Sequence, residues 1–292
     1  MAEVPTRVGD VGAVAEHATP PFTFGRAMFA VVAGFFIAHL LGVLAAQIAR
    51  SILHVAPGVM TPGVIVPSML ASEGGLLLVS VLVPLTAARP VGAALGLRSA
   101  PLPVFVAAAV GTVTLGPVGD RLMTLLSELF PDLTLGVVPA LHELARSLPL
   151  PLLWPTFALL PGLAEELLFR GVLQRSIPSR RVGIVVAGCA FALFHVDPVH
   201  VIGVLPLGLF LSWAAARSCT TVSVFAHVVN NSIALLSIQH ADLDVGYGSD
   251  KAVPTEWVIS SLVLFACAAY ALARMTRESA AENHSARPSA AV

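Results

Sequence analysis

Charge is what this chain has least of: Asp, Glu, Lys and Arg make up 11% of its 292 residues, where a soluble domain carries roughly 25%. Lysine is nearly missing, with Lys251 alone among 16 basic residues; that bias toward arginine carries no functional conclusion. The 16 basic and 17 acidic residues almost cancel, so no global field selects an anionic partner, and nucleic acid is excluded. Cysteine is scarce too. Cys189, Cys219 and Cys267 are far apart, sit in apolar runs and form no CxxC pair, which argues against a disulfide framework or a cysteine-based zinc site. A basic segment followed by a short apolar core is absent from the start, so no cleavable signal peptide is expected. What is abundant is apolar residues, 57% of the chain, with a mean hydropathy of +0.87. A soluble domain of this size must cover itself with polar groups. The composition predicts an all-α polytopic membrane protein.

Residues 1–25 form a polar tail with Glu3, Arg7, Asp10 and Glu16. Apolar runs long enough to span with some tilt follow at 27–49, 64–88 and 102–118. Over 119–149 Asp120, Arg121, Glu128, Asp132, Glu143 and Arg146 interrupt leucines. This stretch reads as an amphipathic interfacial segment broken by Pro131 and Pro139. Further runs lie at 152–176, 182–197, 199–216, 219–239 and 255–273, giving eight crossings, and residues 274–292 are a polar tail. The membrane domain is thus 26–273. With the N-terminus inside, the inside loops hold Arg7, Arg26, Arg89, Arg98, Arg175, Arg180, Arg181, Arg217, Arg274, Arg277 and Arg287. The outside loops hold Arg50, Arg121, Arg146 and Lys251. Eleven against four places both termini on the cytoplasmic side, in what reads as a bacterial inner membrane.

A charge at mid-bilayer costs about 2.5–3.5 kcal/mol even on the lenient insertion scale, so intramembrane ionisable groups are functional candidates. Here they cluster: Glu165, Glu166 and Arg170 on the fourth run, His195 on the fifth, His227, Asn230 and Asn231 on the seventh. Each has a structural explanation as well. Glu166 and Arg170 stand at i and i+4 in the favourable order for a helical ion pair. His195, beside Asp197-Pro198, suits a helix end, and His227 with Asn231 suits hydrogen bonding between helices. His39 reads as interhelical glue, and Glu73, before Gly74-Gly75, as a residue at a span end. His142, Glu143 and His200 read as interfacial, while His54, His240 and the loop of Asp242, Asp244 and Asp250 read as solvated.

The joint pattern says more. Glu165 and Glu166 lie about 100° apart on a helix and cannot share one partner equally. If Arg170 takes Glu166, Glu165 keeps no intrahelical cation, and a carboxylate in poorly hydrated surroundings is a usable base near neutral pH. His227 and Asn231 project from one helix face toward the same point, with Asn230 a possible substitute. At 1.5 Å per residue, Glu165 and His195 each lie about 22 Å from the turn near Ser179-Arg180. His227 and Asn231 lie about 13 and 19 Å from the turn near Ser218. A base, a second water-orienting group and a pair of oxyanion donors at one depth is what amide hydrolysis requires.

Glu165-Glu166-x-x-x-Arg170, Phe191-x-x-x-His195 and His227-x-x-x-Asn231, in this order on successive apolar runs, resemble the CAAX prenyl endopeptidase and bacteriocin-processing (CPBP, or Abi) family of intramembrane proteases. The resemblance covers residues 150–240, and Leu95-Gly-Leu-Arg98 is similar to a short loop such proteins carry before the third span. It implies an eight-helix protein that hydrolyses a peptide bond in an intramembrane cavity. Glu165 and His195 would activate water, His227 and Asn231 would hold the oxyanion, and Glu166 and Arg170 would position the site. The implied substrate is a peptide or protein, lipidated or membrane-anchored, in CAAX-type processing or peptide maturation. Some members are described as metalloproteases. No cofactor is expected here, because enlisting Glu165 with His195 and His227 as zinc ligands would remove the only obvious base. If zinc is present, those three are its ligands. The depth estimate places these residues far from the basic turns, at odds with a site that opens shallowly to the cytoplasm. Either the fourth span is broken, with Pro161-Gly162 the obvious place, or the orientation is reversed.

Two other readings use the same residues. A transporter could relay protons through the buried Glu and His, but binding groups would then be expected in both halves, whereas here they crowd runs four to seven. A catalytically idle immunity or scaffold protein would have no need of the full Glu/His/His/Asn set.

Overall fold

The computed structural model describes residues 19–57, 59, 61–133, 135, 137–240 and 252–285. Glu3, Arg7, Asp10, Glu16, the Asp242/Asp244/Asp250 loop, Lys251 and Arg287 lie outside them. The described residues are helical, without strands: α1 Phe24–Leu53, α2 Pro62–Thr86, α3 Val91–Ala94, α4 Leu102–Val113, α5 Gly116–Leu129, α6 Val137–Ser147, α7 Leu150–Leu153, α8 Leu160–Glu166, α9 Arg180–Leu193, α10 Pro198–Arg217, α11 Thr220–Gln239 and α12 Thr255–Ser285. Two π-helical stretches, Trp154–Leu159 and Leu167–Leu173, make α7 and α8 one continuous rod that ends in a 3-10 turn at Gln174–Ser176.

Among the described residues, seven helical segments are long and apolar enough to cross a bilayer, so this is a multi-pass membrane protein. Two expectations change. Residues 119–129 are not interfacial; they continue the third crossing, Leu102–Leu129. Polar residues there misled, because Asp120 is buried against the bundle, and Gly119 approaches α10 so closely that an added Cβ would meet the Gly203 carbonyl at 2.6 Å. The amphipathic segment proper is α6, with Pro139 in its first turns, where a missing N–H breaks no helical bond. The fifth crossing is also shorter than expected. At 14 residues α9 is about 21 Å long, less than the hydrocarbon core of about 30 Å, and it turns into α10 at Phe194–Asp197.

Small residues bring the helices together, as membrane packing requires where no water drives apolar association. The buried stripe of α1 is Ala27, Ala30, Gly34, Ala38, Gly42, Ala46 and Ala49, and it lies along α2, where Ser68 Oγ donates to the Gly42 carbonyl at 2.9 Å. In the α9–α10 hairpin, a Cβ on Gly208 would sit 2.7 Å from the Gly188 carbonyl.

The arginines gather at one end of the bundle. Arg98 Nη2 donates to the Ser218 carbonyl at 3.0 Å and Arg175 Nε to the Ala94 carbonyl at 2.9 Å. Thr220 N–H bonds the carbonyl of Gly96, which has φ +72°. At the opposite end Asp197 Oδ2 accepts from Leu135 N–H at 3.0 Å, and Gln239 Nε2 donates to the carbonyls of Ala145 and Leu148.

Candidate active site

The helix carrying the glutamates is not broken at Pro161-Gly162. Pro155 and Pro161 each lack an N–H, and a proline ring clashes with the carbonyl four residues back. The wider π turn over Trp154–Leu159 accommodates both without a break. Gly162 then lets α8 close on α11, where a Cβ would meet Val228 N at 3.1 Å. Glu165 and Glu166 end α8, and Arg170 sits inside the second π stretch, a kind of helix defect common at functional sites.

The ion pair expected at i and i+4 is present. Glu166 Oε1 accepts from Arg170 Nη1 at 2.5 Å and also from His227 Nδ1 on α11 at 2.9 Å. The rest of the guanidinium is fixed: Nη2 donates to the Gly208 carbonyl at 2.8 Å, Nε to Ser212 Oγ at 3.2 Å, and Cζ stands 4.5 Å from the Phe191 ring centre. Gln174 Nε2 donates to the Ser212 carbonyl one turn on. Glu166 and Arg170 are fully buried, so this network locks α8, α9, α10 and α11 into register.

The network also assigns the His227 tautomer. A carboxylate paired with arginine only accepts, so Nδ1 carries the hydrogen. In the neutral ring Nε2 is then an acceptor, and it faces Glu165 Oε2 at 3.8 Å. Glu165 takes no part in the Arg170 network and is the carboxyl left over, as the spacing implied.

His195 lies in the turn between α9 and α10. Its Nδ1–H donates to the Phe191 carbonyl at 3.0 Å, which likewise leaves Nε2 as an acceptor. Val196 (φ 64°) makes the turn, and Asp197 caps α10 by accepting from Val199 and His200 N–H. The Phe191 ring lies between the two imidazoles, 5.1 Å from His195 and 5.5 Å from His227, and packs edge-on to Phe169. Asn231 accepts from Asn230 Nδ2 at 3.4 Å; Asn230 is the more buried of the two.

The structure thus brings Glu165, Glu166, Arg170 and His227 together, sets His195 across Phe191 from His227, and puts Asn231 one turn from His227 on α11. The zinc set fits only halfway. Each imidazole has the outer hydrogen bond that ligating histidines usually make. However, among the described residues no three His, Cys, Asp or Glu side chains converge to hold a metal.

Other sequence readings sort as follows. His39 is exposed, its ring tilted against Phe35 and bonded to the Phe35 carbonyl. His200, read as interfacial, lies with its ring centre 4.6 Å from that of His195. Glu73 is not at a span end; it is buried near the middle of α2, because Gly74 and Gly75 continue the helix, Gly75 against Leu41. Its position in a 25-residue apolar helix was the available signal.

No curated protein and no solved structure matches the chain. One family model does, over α7 to α11 and so over every residue of the site: residues 147–233 match the type II CAAX prenyl endopeptidase Rce1-like family.

Proposed function

We propose that the protein is an intramembrane endopeptidase in which Glu165 activates the attacking water. The observation that carries this reading is the division of labour between adjacent carboxyls. Glu166 is tied up through Oε1, which takes both Arg170 and His227, whereas Glu165 stands outside that network, facing an imidazole nitrogen. A base must be able to take a proton, and Glu165 is the carboxylate with that freedom.

In this reading Glu165 takes a proton from water as the oxygen attacks the scissile carbonyl carbon, and returns it to the leaving amine as the C–N bond breaks. His195, whose Nδ1–H is anchored to Phe191, accepts the second water hydrogen through Nε2 and so aims the lone pair. The charge that develops on the carbonyl oxygen is met by the Asn231 amide and by His227. For His227 to donate from Nε2 it must carry both ring protons, a form with a carboxyl at each nitrogen. No resident metal takes part.

The family match supports a peptide or protein substrate in the membrane; in this reading that chain is lipidated or otherwise membrane-anchored and is cut near its C-terminus. The gathering of Arg98, Arg175 and the α10–α11 turn at one end supports a cytoplasmic arginine face with both termini on that side, in a bacterial inner membrane; with the fourth span unbroken, the site then lies deep in the bundle and does not open shallowly onto that face. The catalytic unit is 150–240 within a membrane domain spanning 26–273, flanked by tails at 1–25 and 274–292. A peptide library incubated with the purified full-length protein in detergent tests the reading. Cleavage is expected from the wild type and not from Glu165→Gln; cleavage by neither, or equally by both, overturns it.

A further inference from the structure

Asp197 offers more acceptors than its place in the chain requires. It caps α10, where Oδ1 accepts from Val199 N–H at 3.0 Å and from His200 N–H at 3.3 Å. One side-chain oxygen is enough for a cap, and Ser, Thr or Asn supplies it as well. The second oxygen is committed elsewhere: Oδ2 accepts from Leu135 N–H at 3.0 Å, 62 residues back in the stretch between α5 and α6. The residue is 1% exposed. α6 is itself fastened to α11, through the Gln239 amide on the carbonyls of Ala145 and Leu148. Asp197 therefore joins the turn that carries His195 to the segment leading into that anchored helix. The turn needs such a brace. Val196 is β-branched and stands at φ 64°, a left-handed conformation that such residues adopt only where the surroundings impose it. Asp197 N–H closes the turn on the His195 carbonyl at 2.7 Å. His200, whose N–H the carboxylate holds, sets its ring centre 4.6 Å from that of His195.

We infer that Asp197 is a positioning residue, which holds His195 in place by pinning its turn to the Leu135 backbone. One oxygen serves the helix and the other serves the site. The consequence for catalysis rests on the endopeptidase reading, in which His195 aims the water; the brace itself does not.

Two variants of the full-length protein in detergent isolate the second oxygen. Asp197→Asn keeps one oxygen for the cap, but its amide N–H groups would meet the Leu135 N–H, donor against donor. Leu135→Pro leaves Asp197 untouched and removes the donated N–H, at a position whose side chain is exposed. Nitrogen NMR of histidine-labelled protein without substrate reads the ring directly, with the His195 signal identified by its loss in His195→Gln. A single tautomer protonated at Nδ1 is expected in the wild type. In both variants the His195 signal should shift or broaden while the thermal unfolding midpoint holds. In peptide cleavage both should lower kcat by up to on the order of 10²-fold, as a displaced catalytic group does, with KM unchanged. A His195 signal indifferent to both variants overturns the brace, and an altered signal with a wild-type kcat overturns the positioning role. An early melt in both variants makes the bond a fold contact alone and overturns the proposal as well; where only one melts early, the other decides. The expected signals in a wild type that cleaves no peptide support the brace and sink the endopeptidase reading instead.

Discussion

The two halves of the site are built on opposite terms. In one, Glu166, Arg170 and His227 are buried, and every guanidinium nitrogen is engaged, by carboxylate, carbonyl or hydroxyl, with the Phe191 ring beside it. In the other, Glu165, His195 and Asn231 each keep an unspent polar edge, and His195 and Asn231 are only half-buried. Low dielectric makes a satisfied network rigid and an unsatisfied polar group costly. A protein that keeps both side by side uses the first to hold the second in place. The comparison makes separable claims: changes in the open half should cost rate without stability, and changes in the bonded half should cost both.

The largest effect on rate is expected from Glu165→Gln. The amide keeps the shape and cannot take a proton, and loss of a general base typically costs 10²–10⁴ in rate. Single-turnover cleavage should fall by that factor while the detergent unfolding midpoint stays put. Glu166→Gln breaks the comparison if it behaves the same way, since it should also loosen the packing of α8 on α11.

Arg170→Ala should act on folding first. It leaves Glu166 buried without its cation, a loss of about 3–5 kcal/mol in the harsher cases, to be read as lower yield and a lower unfolding midpoint together with lower activity. Arg170→Lys should not rescue it, because one ammonium cannot reach Glu166, Gly208 and Ser212 in the fork geometry that the guanidinium offers. A stable but inactive Arg170→Ala protein would move Arg170 from the bonded half to the substrate.

Smaller again is Asn231→Ala. Removing one oxyanion donor costs about 10²–10³ in kcat, and stability should hardly change at a half-buried position. Asn230→Ala should reverse the pattern, since Asn230 is the more buried. Steady-state kcat beside thermal melts for the two variants checks this, and equal kcat losses would make the two amides interchangeable.

The bonded half was legible in the sequence and the open half only partly so, for a physical reason. A helical ion pair is fixed by i and i+4 spacing, so Glu166–Arg170 could be read before any fold was known. The His227–Glu166 bond joins residues 61 apart and depends on how closely α8 and α11 approach, which Gly162 permits and spacing does not encode. The spans were legible from hydropathy wherever helix length and apolar length coincide. They do not at α9, whose run continues past Leu193 into the turn that holds His195, or at α5, where Asp120 looks like a surface residue and is buried. Glu73 was undervalued because it has no motif around it, and its burial depends on how α1 and α8 pack on α2.

The smallest expected effect is from chelation, and it bears on the open half alone. A catalytic zinc needs three protein ligands and an open fourth position at about 2.0–2.2 Å from its donors. The Nε2 atoms of His195 and His227 are both acceptors held by bonds at Nδ1, so two ligands are chemically apt. The third would have to be Glu165, and a ligating Glu165 cannot also take the proton of the attacking water. Asn231 suits an oxyanion and is a poor zinc donor. The side chains as placed do not close around an ion. Dialysis of the purified protein against a chelator, followed by cleavage assay, zinc add-back and elemental analysis, should therefore change the rate by less than about two-fold, well under the tenfold that 1.4 kcal/mol represents. Stoichiometric zinc, with activity lost on its removal and restored on its return, would make His195, His227 and Glu165 its ligands. The open half would then be a metal site awaiting its ion, and the base would have to be sought elsewhere.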